Sequence, residues 1–223
     1  MKLTTLQNQL LDAIGQSDLA RYFYWTGGTL LSALYLHHRE SEDLDFFSDD
    51  LIAEEVVLMA MQRIKRSLKL THMNQRTHLN RQQYQLRKGG ETLKLEFVYF
   101  PFPAIMKPKK VAPWPVRVAQ LKDIAANKIF ALYERGEPKD AVDLFYIAEK
   151  KSWSIKQLTA LAGKKFGIDI DQAKLASQAF EAAAKLSVIK PLLTKEKNLA
   201  HLKHGIESLF GSAGKTYLST LLV

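Results

Sequence analysis

Leu3, Leu6, Leu10, Ile14 and Leu19 recur at roughly helical spacing, which predicts an amphipathic helix over residues 3–20. The aromatic run Tyr22-Phe23-Tyr24-Trp25 reads as a short strand that stops at Thr26-Gly27-Gly28-Thr29. A second helix is expected from Thr29 to Leu36, with Leu30, Leu31 and Leu34 buried. Polar and apolar residues alternate in Asp43-Leu44-Asp45-Phe46-Phe47, the period of a strand. Helix resumes over 53–68, and three strands are predicted at 70–76, 81–87 and 92–99. The last two flank Lys88-Gly89-Gly90-Glu91, a good hairpin connection. Five of the seven prolines lie between Pro101 and Pro115, and such density ends regular structure, so a linker is expected there. Beyond it the strand pattern stops, and helices are predicted at 119–134, 138–150, 154–166, 171–186 and 199–221. An α/β half is thus followed by an all-helical half, with the domain boundary placed between 1–115 and 116–223.

Composition narrows the class. Apolar residues make up 47% of the 223 and charged ones 25%, values of a globular protein and not of a disordered chain. There are no cysteines, which excludes a disulfide framework, a thiolate metal site and cysteine nucleophilic catalysis. No apolar run approaches the ~20 residues of a membrane helix, and the N-terminus lacks the apolar core of a signal peptide. A soluble, cytoplasmic protein without a membrane partner is expected.

Charge changes the picture more. The net charge is +9, but residues 1–60 carry −7, residues 61–110 carry +10 and residues 111–223 carry +6. Eight acids, Glu40 to Glu55, fall within sixteen residues. A dense acidic cluster followed by a basic stretch suggests a cation site beside an anion-binding surface; the alternative is two solvated faces of opposite sign.

The sharpest local signal is Asp43-Leu44-Asp45. On a strand both carboxylates face one way, with Cα atoms ~6.5–7 Å apart, while Leu44 faces the core. Carboxylates so spaced suit hard cations such as Mg²⁺; the plain alternative is an edge strand blunted by charge. Upstream, Gly27 and Gly28 allow a sharp turn before a helix whose first N–H groups would face an anion, with Thr29 as a possible further donor. The spacing matches neither a Walker loop nor a dinucleotide-binding turn.

Thr26-Gly27-Gly28-Thr29-Leu30, followed by His38-Arg39-X-Ser41-X-Asp43-Leu44-Asp45-Phe46-Phe47, resembles the signature of the AbiEii/AbiGii-type toxin nucleotidyltransferases, within the DNA polymerase beta-like superfamily. Two later motifs are similar as well, in Leu121 to Lys128 with Arg135, and in Pro138-Lys139-Asp140-Ala141-Val142-Asp143-Leu144. Lys128 and Arg135 are seven apart on one helical face, and Asp140 and Asp143 are three apart on the next helix. Without the upstream motif, these charges would read as surface pairs. The likeness covers about residues 20–150.

The resemblance implies an α+β fold: a polymerase beta-like core, a mixed sheet flanked by helices, and then an all-helical C-terminal domain that completes the active site. It implies transfer of a nucleoside monophosphate from an NTP to an acceptor hydroxyl, with two Mg²⁺ ions held by Asp43 and Asp45. Relatives carry a third carboxylate, commonly aspartate, on a neighbouring strand; here the candidate is Glu96, on the polar face of Leu93-Lys94-Leu95-Glu96-Phe97. Thr26, Gly27, Gly28, Thr29, Arg39, Ser41, Lys128 and Arg135 are the implied nucleotide-binding residues, and Asp43, Asp45, Glu96, Lys128, Asp140 and Asp143 the implied catalytic ones. Similar toxins act on the acceptor end of tRNA, which the basic segment (Arg63, Lys65, Arg66, Lys69, Arg76, Arg81, Arg87, Lys88) would bind, and a cognate antitoxin is implied. Two other readings stay open: a nucleotidyltransferase acting on a small molecule or protein, and a non-catalytic nucleic-acid-binding module.

Overall fold

A computed structural model describes residues 2–221, with side chains described through residue 211. The chain divides into two compact units, residues 2–33 with 41–120, and residues 34–40 with the chain from 121 onward.

The first unit is built on a sheet. Helix α1 (Thr5–Gly15) starts at a capping box in which Thr4 and Gln7 satisfy each other's backbone N–H groups. The single helix expected over 3–20 is broken after Gly15 and restarts as α2 (Leu19–Tyr22). Strand β1 (Tyr24–Thr26) leads into α3 (Gly27–Leu30), which passes into a π-helical turn, Leu31–Leu36. Leu30 and Leu31 are buried as expected, whereas Leu34, within the π-helical turn, is only half-buried. There follow β2 (Leu44–Ser48), α4 (Glu54–Leu68), β3 (His72–His78), β4 (Arg81–Lys88) and β5 (Glu91–Tyr99). Gly89 and Gly90, both at positive φ, make the turn between β4 and β5.

The proline-rich stretch is not a linker. It contains β6 (Lys109–Val111) and β7 (Trp114–Val118), which complete the seven-stranded order β3-β4-β5-β2-β1-β7-β6. Proline is tolerated because the β6–β7 register shifts after Lys110, and Pro115 falls between the Val111–Trp114 and Lys110–Arg117 pairs. The Trp25 and Trp114 rings meet edge to face, 5.1 Å apart, so Trp114 anchors this end of the sheet.

The sheet is mixed: β2 runs parallel to β5, and β1 parallel to β7, while the other neighbouring pairs are antiparallel. Its inner face presents Leu44, Phe46, Tyr84, Leu86, Leu93, Leu95 and Phe97, all buried. Leu6, Leu10, Leu11 and Ile14 of α1 and Val57, Met61 and Ile64 of α4 are buried as well.

The second unit comprises α5 (Leu121–Arg135), α6 (Pro138–Lys151), α7 (Ile155–Phe166), α8 (Gln172–Ala184) and α9 (Leu199–Leu221). Small residues on α8 (Ala176, Ala179, Ala182, Ala183) let helices approach closely. The strap 34–40 is fastened here. Glu40 donates its N–H to the Leu192 carbonyl (2.7 Å), Thr194 donates to His38 (3.0 Å), and Arg39 forms an antiparallel bridge with Leu193.

Phe97 touches the rings of Phe23, Phe46 and Tyr84, with centroids 4.9, 5.6 and 6.1 Å away. Phe97→Ala leaves a cavity at that junction and is expected to lower stability by about 3–5 kcal/mol in denaturant unfolding.

Candidate active site

Within the sheet unit, strand register gathers the acids. Asp45 stands beside Thr26 of β1 and beside Glu96 of β5, and the same row continues through Gln83 of β4 to Arg76 of β3. Leu44 and Phe46 face the core, so Asp45 faces the other way, and Asp43, two residues earlier, shares its side. Asp43, Asp45 and Glu96 therefore lie on one face of adjacent strands.

Several groups fix this row. Gln7 on α1, fully buried, donates to the Glu42 carbonyl (2.9 Å) and the Ser41 carbonyl (3.3 Å). The buried Thr29 hydroxyl donates to the Asp43 carbonyl and lies 2.9 Å from the Ser41 hydroxyl. Thr29 and Ser41 thus brace the carboxylate strand from behind. Gly27 has φ +81°, and a Cβ there would lie 2.8 Å from Asp45 Cγ. Only glycine admits both the backbone angle and the approach of that carboxylate. Thr26, also buried, immediately precedes it.

The acids are not left to repel one another. Lys94 Nζ lies 2.7 Å from Asp43 Oδ2 and 3.4 Å from Glu96 Oε1, and Arg81 Nη1 lies 3.5 Å from Glu96 Oε2. Burial alone would lower the Lys94 pKa, but Asp43, with Glu96 and Asp45 behind it, holds it above the usual lysine value. Among the described residues no three or more His, Asp or Glu side chains gather into a metal cluster. Asp43 and Glu96 share one cation, the Lys94 ammonium, and carboxylate oxygens are the donor type that hard divalent ions prefer. Lys94 and Gln7 were missed in the sequence. The alternation of β5 places Lys94 beside Glu96, a signal that could have been read, whereas nothing local marks Gln7.

In the helical unit the later motif residues form one charged network. Asp143 on α6 accepts from Arg39 Nε (2.7 Å) and Nη2 (2.9 Å), and its Oδ1 lies 2.7 Å from His38 Nε2. Lys128 Nζ on α5 contacts Asp140 Oδ1 and Asp143 Oδ2, each at 2.7 Å. Arg135 reaches Asp140 Oδ2 through Nη2 (2.8 Å). Arg39 and Lys128 are thus engaged by carboxylates of their own unit. All but Arg135 are buried. Burial alone would raise the Asp143 carboxyl, yet Arg39 and Lys128 hold it well below the usual range. Burial lowers His38, keeping it neutral.

The fold has solved relatives. JHP933 from Helicobacter pylori aligns over 100% of both chains at 18% identity, with a TM-score of 0.64. MenT4, a nucleotidyltransferase toxin from Mycobacterium tuberculosis H37Rv, aligns over 94% of this chain and 82% of its own at 18% identity, with a TM-score of 0.57. By sequence, the uncharacterized protein aq_aa25 of Aquifex aeolicus (strain VF5) is 28% identical over 165 residues, 74% of this chain and 76% of that one. The mixed sheet with its helices is a nucleotidyltransferase fold. The model of the AbiEii nucleotidyl transferase toxins of type IV toxin–antitoxin systems matches residues 9–201, and the chain belongs to that family of nucleotidyltransferases. No helix among the described residues is long and apolar enough to cross a membrane.

Asp143→Asn leaves Arg39 and Lys128 buried and under-compensated, so a loss of about 3–5 kcal/mol is expected at neutral pH. The wild-type advantage is full above the unfolded carboxyl pKa of about 3.9 and declines as pH falls toward the depressed folded value. Unfolding curves of the two proteins should therefore converge with acid. Neutral His38 adds a milder loss of stability below about pH 6.5, where the unfolded imidazole takes up a proton that the folded one refuses.

Proposed function

We propose that this nucleotidyltransferase moves a nucleoside monophosphate from an NTP to a hydroxyl of RNA, with the acceptor end of tRNA as the target. Family membership implies an NTP donor and a cognate antitoxin. The observation that carries the reading is the row itself: Asp45 in register with Glu96, and Asp43 on the same side. Asp43, Asp45 and Glu96 would hold Mg²⁺, in line with the divalent-metal use general in the family. When bound, such ions lower the pKa of the acceptor hydroxyl and neutralise the leaving pyrophosphate.

The chain's own groups divide the remaining work. The acceptor oxygen forms a bond to the α-phosphorus, the bond from that phosphorus to the bridging oxygen breaks, and pyrophosphate leaves with the electron pair. The hydroxyl proton passes to Glu96, the buried carboxylate of the row. Backbone N–H groups at Gly27–Thr29 orient the triphosphate, and Lys94, released from Asp43 as the substrate arrives, offers its ammonium to the phosphates. Thr29, Ser41 and Gln7 hold the carboxylates in place. Lys128, Arg135, Asp140 and Asp143 support the reaction by fixing Arg39 and the strap that leads, four residues on, to Asp43.

The strongly positive segment 61–110 favours RNA over a small-molecule acceptor. Purified protein incubated with Mg²⁺, each labelled NTP and total RNA should label RNA; label on protein or a small molecule instead would reassign the acceptor. Asp43→Ala and Asp45→Ala should each cut transfer at least a thousandfold with the fold retained, and relieve any growth arrest. Unchanged activity in both would discard the mechanism. Gly27→Ala should lower activity at least a hundredfold, because the added methyl strains the backbone and displaces Asp45.

A further inference from the structure

The basic segment 61–110 does not form one surface. Its cations divide between the two faces of the sheet unit. On β3, Gln75 and Thr77 turn toward α4, where both donate to Glu54 Oε1 at 2.7 Å. Arg76, between them, points the opposite way. Register carries that outer face across the strands: His72 pairs with Arg87, Asn74 with Gln85, Arg76 with Gln83, and His78 with Arg81. On the next strand Gln83 stands beside Glu96, and Gln85 beside Lys94. The outer face of β3 and β4 therefore runs without a break into the carboxylate row. Arg63, Lys65 and Arg66 belong instead to α4, and Lys69 caps it; this helix's buried side chains join the inner face.

On β3 and β4 the outer face has one sign of charge. Strands β3 and β4 contain no acidic residue, and His72, Asn74, Arg76, Arg81, Gln85 and Arg87 are exposed. Charge at a sheet edge is often a guard against edge pairing, and that accounts for β3. It does not account for β4, which is paired on both sides and still presents Arg81 and Arg87, about 20 Å apart by strand rise. A polyanion crossing the sheet from the carboxylates would meet cations and amide groups along its path.

We propose that the acceptor's sugar–phosphate backbone lies along this outer face of β3 and β4, held chiefly by Arg76 and Arg87, while the cations of α4 take no part. The proposal rests on the reading that the acceptor is RNA.

The test measures binding of unfractionated tRNA across a salt series by four proteins: wild type, Arg76→Gln/Arg87→Gln, its charge-retaining counterpart Arg76→Lys/Arg87→Lys, and Arg63→Gln/Arg66→Gln. The glutamine pair on the sheet is expected to bind at least tenfold more weakly at about 0.1 M salt. Its log–log salt slope should be shallower by roughly 1.5–2. The lysine pair should recover most of the loss, and the helix pair should stay within about twofold of wild type. A larger loss for the helix pair, or wild-type binding by the sheet pair, would overturn the assignment of the face while leaving RNA as acceptor. Absence of tRNA binding by the wild type, with label appearing on protein, would remove the RNA reading first and this surface with it.

Discussion

Parallel pairing of β2 with β5 sets Leu44 beside Leu95 and Phe46 beside Phe97, and so obliges Asp45 to fall beside Glu96. The apolar pairs drive that alignment, because all four side chains are buried and the Phe46 and Phe97 rings pack together. A slip of β2 by one residue would turn Asp45 into the core and Leu44 and Phe46 out to the opposite face. Burial thus specifies the register strongly, and the register then delivers the carboxylates. The chemistry on one face is a consequence of packing on the other.

Holding three acids on adjacent strands costs free energy that the fold must offset locally. Lys94 and Arg81 supply counter-charge from the same face, one on each side of Glu96. Glycine at position 27 makes room for Asp45, while Gln7 and Thr29 satisfy carbonyls that the turn before β2 leaves open. The support comes from α1, α3, β4 and β5, and an isolated strand could not hold this arrangement.

The helical unit solves a related problem in a drier setting. Asp143 meets Arg39, His38 and Lys128 within one buried network, so its charge is compensated although desolvation opposes it. Such networks are strongly destabilised when one partner is removed, more than they are stabilising relative to apolar packing. Their effect here is geometric: they bind the strap 38–40 to α5 and α6 in one arrangement.

Local pattern determined a good deal of this protein. Alternation around Leu44 placed Asp43 and Asp45 on one side, the positive-φ glycines at 89–90 made the hairpin, and helical spacing found α5 to α9, because these features depend on neighbours a few residues away. Strands β6 and β7 are hidden in the sequence because proline density masks a short strand whose ladder avoids the prolines. Distant pairings were decided by tertiary structure alone. That Lys94 bridges Asp43 and Glu96, that Arg39 is clasped by an aspartate 104 residues away, and that Arg76 and Arg66 lie on opposite sides of a sheet all follow from register and burial across the fold. A one-dimensional charge count cannot separate such residues, because which face a side chain occupies is fixed by what packs against its neighbour.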